Sequence, residues 1–300
     1  MLAVLVIIAV GCGTYFYVKF DRMMDSIIVD SENDPEGIVA EEYVPGDPVI
    51  IYLSGSDTRD DELDEETRSD VNILVVLNPK TNKILLVNTP RDYYVENPAY
   101  GNTKDKLTHC GNAGVANSIK VLENLYDIKI DYYCKINFTG FETLVDTVGG
   151  VDIINDEAFS TGKFYFQEGE NHLNGTQALA FARNRHNVSG GDFGRGNHQM
   201  LIIKALIEKI TSSKTILLNY SEILDDLTGT FTMNVPKNLI SNVVKGQLTT
   251  FATWSVETFN TTGSVGWATI AGGVERSVVF QDEEKIAEAK QLIANTLAVE

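Results

Sequence analysis

Three hundred residues, 43% of them hydrophobic and 9% aromatic, suffice to bury a large core, and no Pro-rich, Gly/Ser-rich or repeated segment divides the chain. A formal charge of -18 and a pI near 4.6 exclude binding to nucleic acid or to an anionic membrane face through the average field, which repels polyanions. Any polyanionic ligand has to be held by a local concentration of cations.

Leu2 to Val18 is apolar apart from Thr14 and is followed by Lys19, Asp21 and Arg22. Its length fits a transmembrane anchor over residues 1–18, with a cleaved signal region as the alternative, and no Lys or Arg precedes it to fix orientation. The apolar run continues past Cys12, which favours spanning over lipidation there. Residues 19–48 are acidic, carry Pro35 and Pro45, and read as a juxtamembrane linker. The remainder, 49–300, is expected as one extracytoplasmic domain.

Val49 to Leu53 is strand-like and ends at Gly55; Val71 to Leu77 and Lys83 to Asn88 form a hairpin around Asn78-Pro79-Lys80-Thr81-Asn82. Val115, Ile119, Leu122 and Leu125 or Tyr126 recur at helical spacing, and Thr139 with Glu142 reads as a capping box opening a short helix that stops at Gly149-Gly150. A strand is expected over 151–154, helices over 175–183 and from about 198 to 210, and a helix opened by Asn234-Val235-Pro236 and running to about Lys245. An irregular β-like stretch over 251–256 precedes a last helix with Ile286, Ala289, Ile293 and Leu297 on one face. The fold class is α/β (α+β), a central mixed β-sheet flanked by helices. Cys110 and Cys134 are open to two readings, a disulfide in an oxidising compartment or small buried thiols.

Six of the eight arginines sit in short polar segments beside strands or helix ends, most with an aspartate close by: Arg59, Arg68, Arg91, Arg183, Arg185 and Arg195. Planar bidentate donors beside carboxylates suit a site that grips phosphate oxygens with Arg and a divalent cation with Asp. Arg183 and Arg185 flank one residue and would point to the same side of an extended or loop backbone. Arg195 and Gln199 share a helix face, and backbone donors near residues 194–198 could meet an anion. Each arginine could equally be half of a weak surface ion pair. His109 and His198 could act as acid or base, although a lone His more often packs or faces solvent; Asp192 or Asp92 is the better base candidate, unless it only orients an arginine. Gly-x-Ser-x-Gly, His-Glu-x-x-His and nucleotide-loop strings do not occur.

Ordered motifs carry a resemblance: Gly-x-Asp at 55–57, Arg-Ser-Asp at 68–70, Pro-Arg-Asp at 90–92, Asp-Lys at 105–106, Val-Asp-x-x-Gly-Gly-Val-Asp at 145–152, Asn-Gly-x-Gln-Ala-Leu-Ala at 174–180, Ala-Arg-x-Arg at 182–185 and Asp-Phe-Gly-Arg at 192–195, followed by Gln199. From about Val49 to Thr211 the chain resembles the LytR-CpsA-Psr proteins of Gram-positive cell envelopes. The resemblance implies a pocket for a polyprenyl chain and transfer of an anionic glycopolymer, such as teichoic acid or capsule, from polyprenyl pyrophosphate to peptidoglycan. It implies Asp57 and Asp70 as ligands of Mg2+ or Mn2+, Arg68, Arg91, Arg183, Arg185 and Arg195 with Gln199 as the pyrophosphate clamp, and Arg59 and Lys106 as further phosphate contacts. The chain departs from the family pattern at His109-Cys110-Gly111-Asn112 and at Gly196-Asn197-His198. A non-catalytic binder of lipid-linked polyanions and a polyprenyl pyrophosphate hydrolase are the alternative functions.

Overall fold

The computed structural model describes residues 38, 41–56, 67–185, 191–214, 226 and 229–298, with the Asp192 side chain outside the description. The expected anchor and most of the linker therefore lie outside the described residues. Among those described, no helix is long and apolar enough to cross a membrane.

The chain opens with strands β1 (Val49–Ser56), β2 (Val71–Asn78) and β3 (Lys83–Asn88), then the short pair β4 (Tyr94–Asn97) and β5 (Thr103–Lys106). A single helical turn, Leu107–Cys110, leads to helix α1 (Val115–Tyr126), strand β6 (Tyr132–Asn137) and helix α2 (Phe138–Thr147). Strands β7 (Val151–Asn155), β8 (Phe159–Thr161), β9 (Phe164–Phe166) and β10 (Gly169–Leu173) precede helices α3 (Gly175–Arg183) and α4 (Asp192–Ser212). Strand β11 (Phe231–Met233), helix α5 (Lys237–Thr250), strands β12 (Ser255–Asn260), β13 (Gly263–Ile270) and β14 (Val274–Gln281), and helix α6 (Glu283–Leu297) complete the order.

The main sheet runs β11-β6-β1-β2-β3-β12. It is mixed, since β6 pairs parallel with β1 and β12 parallel with β3, while β2 is antiparallel to both its neighbours, β1 and β3. Alternation along the strands divides two cores. Ile50, Tyr52, Leu74, Val76, Leu85 and Val87 face a layer holding Ile119, Leu122, Ile286, Ala289 and Ile293 of α1 and α6. Val49, Ile73, Leu77, Ile84 and Leu86 face the other side, where Met200 of α4 and Leu239 of α5 pack. A third cluster joins α2, α3 and α4 to the small strands through Val145, Ile153, Phe159, Phe181 and Ile202.

Local chemistry corrects several of the expected element boundaries and decides between the two readings of the cysteines. Helix α2 is capped by Asn137, whose side chain accepts from Gly140 N–H at 2.8 Å, so it starts before Thr139 and the Thr139/Glu142 capping box does not form. Helix α4 starts at Asp192 rather than near 198, because the glycine at 191, with a positive φ of 55, turns the chain directly into it. The N–H of Arg195 is thus already bonded to Gly191 O at 3.1 Å, and the expected anion-binding end moves towards Asp192. Pro236 is the cap of α5, which extends to Thr250, and the β-like stretch sits later, as strand β12 over Ser255–Asn260, where it pairs in register with β3. Cys110 and Cys134 are both free, Cys110 in the α1–α6 layer and Cys134 against the α4–α5 layer, so the sheet stands between them.

Candidate active site

The ends of β2, β3, α3 and α4 converge on a cleft of about 500 Å³ lined by Asp70, Arg91, Arg183, Arg185, Arg195 and Gln199. Helix α2 contributes Phe138 and Glu142, the β8–β9 turn contributes Gly162 and Lys163, and β9 contributes Phe164. Among the described residues the lining thus holds the cations Arg91, Lys163, Arg183, Arg185 and Arg195 against the acids Asp70 and Glu142. That excess is local, in a chain whose formal charge is -18. In a partly enclosed site such guanidinium groups attract an anion far more than on open surface.

Each side chain is set by its element. Asp70 follows Ser69, a buried residue whose hydroxyl donates to Asn72 Oδ1 at 2.6 Å and shares a hydrogen bond of 2.6 Å with the Tyr52 hydroxyl. The Asp70 N–H bonds Gly55 O at 2.8 Å, and its Oδ1 accepts from Thr108 Oγ1 at 3.2 Å and pairs with Arg91. Arg91 lies just beyond β3, where its carbonyl accepts from Thr108 N–H at 2.8 Å. Its Nε stands 3.6 Å from Asp92 Oδ1, which Lys106 Nζ approaches to 3.1 Å. Asp92 and Lys106 therefore brace Arg91 from behind and do not line the cleft.

Helix α3 carries a reciprocal cap: Asn174 Oδ1 accepts from Gln177 N–H at 2.9 Å, and Gln177 Oε1 accepts from Asn174 N–H at 3.0 Å. At its other end Arg183 is the last helical residue and its guanidinium lies 4.3 Å from the Phe138 ring centroid, a cation–π contact that holds the fork across the cleft. Asn184 is extended, with φ -67 and ψ 129, and Arg185 follows it into the same cleft. On α4, Arg195 and Gln199 line both the cleft and a small inner recess beside Thr89 and Asn260. Gly196 permits this approach, since a Cβ there would meet Asn88 Nδ2 at 2.5 Å.

Val71, Phe138, Leu179, Arg183 and Gln199 also belong to a narrow apolar channel, of about 60 Å³, that lies between the sheet and α2–α4 and is lined further by Leu53, Ile136, Phe141, Ala182 and Ile203. Apart from Asn137, Arg183 and Gln199, the side chains that line it are apolar. A cationic mouth on an apolar bore suits an amphiphile with an anionic head.

The remaining candidates fall elsewhere. Asp57 and Arg59, with the side chain of Asp192, lie outside the described residues. Arg68 is exposed and lines a second hollow with His109. His198 is buried, stacked at 5.1 Å on Phe159 and 4.3 Å from Phe181, and its Nδ1 lies 3.2 Å from Phe181 O. Burial holds its pKa below the ordinary value, so it is a neutral packing group. Lys163 and Phe138 escaped sequence reading, the first because a two-residue hairpin turn alone brings it to the cleft, the second because it resembles any core aromatic.

The class defined by this fold and cleft is a mixed α/β protein that presents clustered arginines at the mouth of an apolar channel. The chain belongs to the LytR_cpsA_psr family, whose model matches residues 14–293. It is 33% identical over 254 residues to the polyisoprenyl-teichoic acid–peptidoglycan teichoic acid transferase TagU of Bacillus cereus, covering 83% of this chain and 79% of that protein. It is 35% identical over 239 residues to the Oceanobacillus iheyensis protein of the same name, covering 77% of this chain and 72% of the other. The crystal structure of B. subtilis TagV superposes with a TM-score of 0.71 at 27% identity, over 85% of this chain and 98% of that one. A structure of TagT bound to LIIa-WTA superposes at 0.68 and 28% identity, over 86% and 94%.

Proposed function

We propose that the protein is a phosphotransferase that moves an anionic glycopolymer, teichoic acid or a chemically similar chain, from a polyprenyl pyrophosphate carrier to peptidoglycan. The observation that carries this reading is the continuity of the arginine cleft with the apolar channel through Val71, Phe138, Leu179, Arg183 and Gln199. The names of the TagU relatives and the ligand of the TagT structure point the same way. Residues 1–18 would anchor the chain in the cell membrane with residues 49–300 outside.

In the reaction an acceptor hydroxyl attacks the phosphorus that bears the glycopolymer. A new P–O bond forms, the bond to the bridging pyrophosphate oxygen breaks, polyprenyl phosphate leaves, and the hydroxyl proton passes to a base. Arg91, Arg183, Arg185 and Arg195 stabilise the non-bridging and leaving oxygens as charge accumulates there. Gln199 stands where head and lipid meet and orients the chain. Asp92, tied to Arg91 and Lys106, acts as an orienting carboxylate, which leaves Asp192 as the candidate base.

Mg2+ or Mn2+ fits this donor set. No group of three or more His, Cys, Asp or Glu side chains gathers among the described residues, and Mg2+ characteristically takes one or two carboxylates and completes its shell with substrate phosphates and water. Asp70, with Asp57, would hold the ion, which when bound would withdraw charge from the pyrophosphate.

The test is turnover of a synthetic polyprenyl pyrophosphate glycan with peptidoglycan oligomers, with and without Mg2+, comparing wild type with Arg91→Ala and Arg183→Ala. Metal-dependent attachment lost in both variants supports the proposal. Release of polyprenyl phosphate without attachment makes the protein a hydrolase, and tight binding without turnover makes it a binder.

A further inference from the structure

A second hollow, of about 440 Å³, lies beside the cleft and is lined by Arg68, Tyr100, Asp105, His109, Asn112 and the β13–β14 turn at Ile270–Gly272. Its volume is in the range of small-molecule sites, about 300–1,000 Å³. Its chemistry differs from that of the cleft. One arginine is matched by one carboxylate, and the other polar side chains are the Asn112 amide, the His109 imidazole, the Tyr100 phenol and the Thr103 hydroxyl. Asp105, 3% exposed, accepts from Lys106 N–H at 2.7 Å and holds His109 Nδ1 at 2.7 Å, so the imidazole is fixed in orientation. Tyr100 is 46% exposed on the rim. The turn opposite is held in place by the Tyr94 hydroxyl, which donates to Thr269 O at 2.7 Å.

The wall between hollow and cleft is one residue thick. Arg68 faces the hollow and Asp70 the cleft, with buried Ser69 between them. On the facing turn His109 lines the hollow while Thr108 donates to Asp70 at 3.2 Å. The two halves of the wall are joined by Ser69 N–H to Thr108 O at 3.1 Å. They are pressed together at Gly111, where a Cβ would meet Thr67 O at 2.5 Å and Ser69 N at 2.7 Å. Arg68 and Asp70 are two residues apart, so their backbone positions lie within roughly 7 Å of each other.

We infer that this hollow is the subsite for the acceptor saccharide. Charge balance excludes a second polyanion clamp, while planar amide, carboxylate and imidazole groups bond vicinal hydroxyls and the Tyr100 ring offers an apolar face to a sugar. The inference rests on the transferase reading and adds where the second substrate binds.

The experiment measures transfer by the full-length chain at varied peptidoglycan glycan oligomer and fixed lipid donor, for wild type, for Tyr100→Ala with Asn112→Leu, and for Ala271→Trp, which fills the hollow from an exposed turn. The expected result is an acceptor KM raised by roughly tenfold or more, as for loss of one or two hydrogen bonds and a ring contact, with donor KM unchanged. An unchanged acceptor KM in Ala271→Trp overturns the subsite. If wild type transfers nothing, the transferase reading fails separately, and oligomer binding by calorimetry decides the hollow: binding lost in Ala271→Trp supports it, and equal or absent binding overturns it.

Discussion

Arg91 shows how one side chain is made to serve a site. Its guanidinium has Asp70 on one side and Asp92 with Lys106 on the other, so its fork is held before any ligand arrives. Arg91→Lys keeps the charge and loses the fork, and kcat/KM for lipid-linked substrate is expected to fall about 10²-fold, with Arg91→Ala falling further, as for removal of a preorganised donor. Steady-state kinetics with the synthetic donor checks this. His198 makes a prediction about stability. Because burial lowers its folded pKa, the unfolded chain takes up the proton first. The stability from the neutral ring is fully present above the ordinary imidazole value of 6.5 and is lost as pH falls from there through the lowered folded value. Thermal unfolding between pH 7 and pH 5 should show a steeper loss in wild type than in His198→Phe. At this scale the sequence announced which arginines stand beside carboxylates, because that pairing is local in the chain. It could not announce that Arg68 faces a different hollow from Asp70, which depends on Ser69 being drawn inward not only by Asn72, three residues on, but by Tyr52 of β1.

Elements read well where the pattern has one period and a clear stop. The β2–β3 hairpin is such a case: Asn78 Oδ1 accepts from the N–H groups of Lys80 at 3.1 Å and Thr81 at 3.3 Å, and Asn82 takes a positive φ of 52. Strand β6 was missed because Tyr132 and Tyr133 are buried on opposite faces and leave no alternation to see. Strands β8 and β9 are three residues each, too short for any periodicity. Two predictions belong here. Ile203→Trp places an indole in the channel, and the KM for a long polyprenyl donor should rise several-fold more than that for a short-chain analogue, a comparison of two donors in one assay. Gly175→Ala sets a Cβ against Glu142 O at 2.2 Å where α3 meets α2, and should cost roughly 1–3 kcal/mol in chemical denaturation.

For the molecule as a whole, the division into two cores by the sheet settles the cysteines. Burial pushes the Cys110 thiol up to about 12 and raises Cys134 as well, so neither is a ready thiolate. Reductant should leave the melting temperature unchanged, and both thiols should react with a thiol reagent only after unfolding. The fold class was legible because strand and helix signals alternate, but the partnership of β12 with β3 was not, since nothing local couples segments so distant.

That partnership governs how the chain comes together. The Asn88 side chain donates to Asn260 at 2.9 Å across 172 positions, and the Asn78 amide reaches the carbonyl of Thr296 at 2.8 Å. During synthesis β3 remains an open edge, ready to pair with a stranger, until nearly the whole polypeptide has emerged. The six-stranded sheet is closed only when β12 arrives, and Asn78 gains its α6 partner later still.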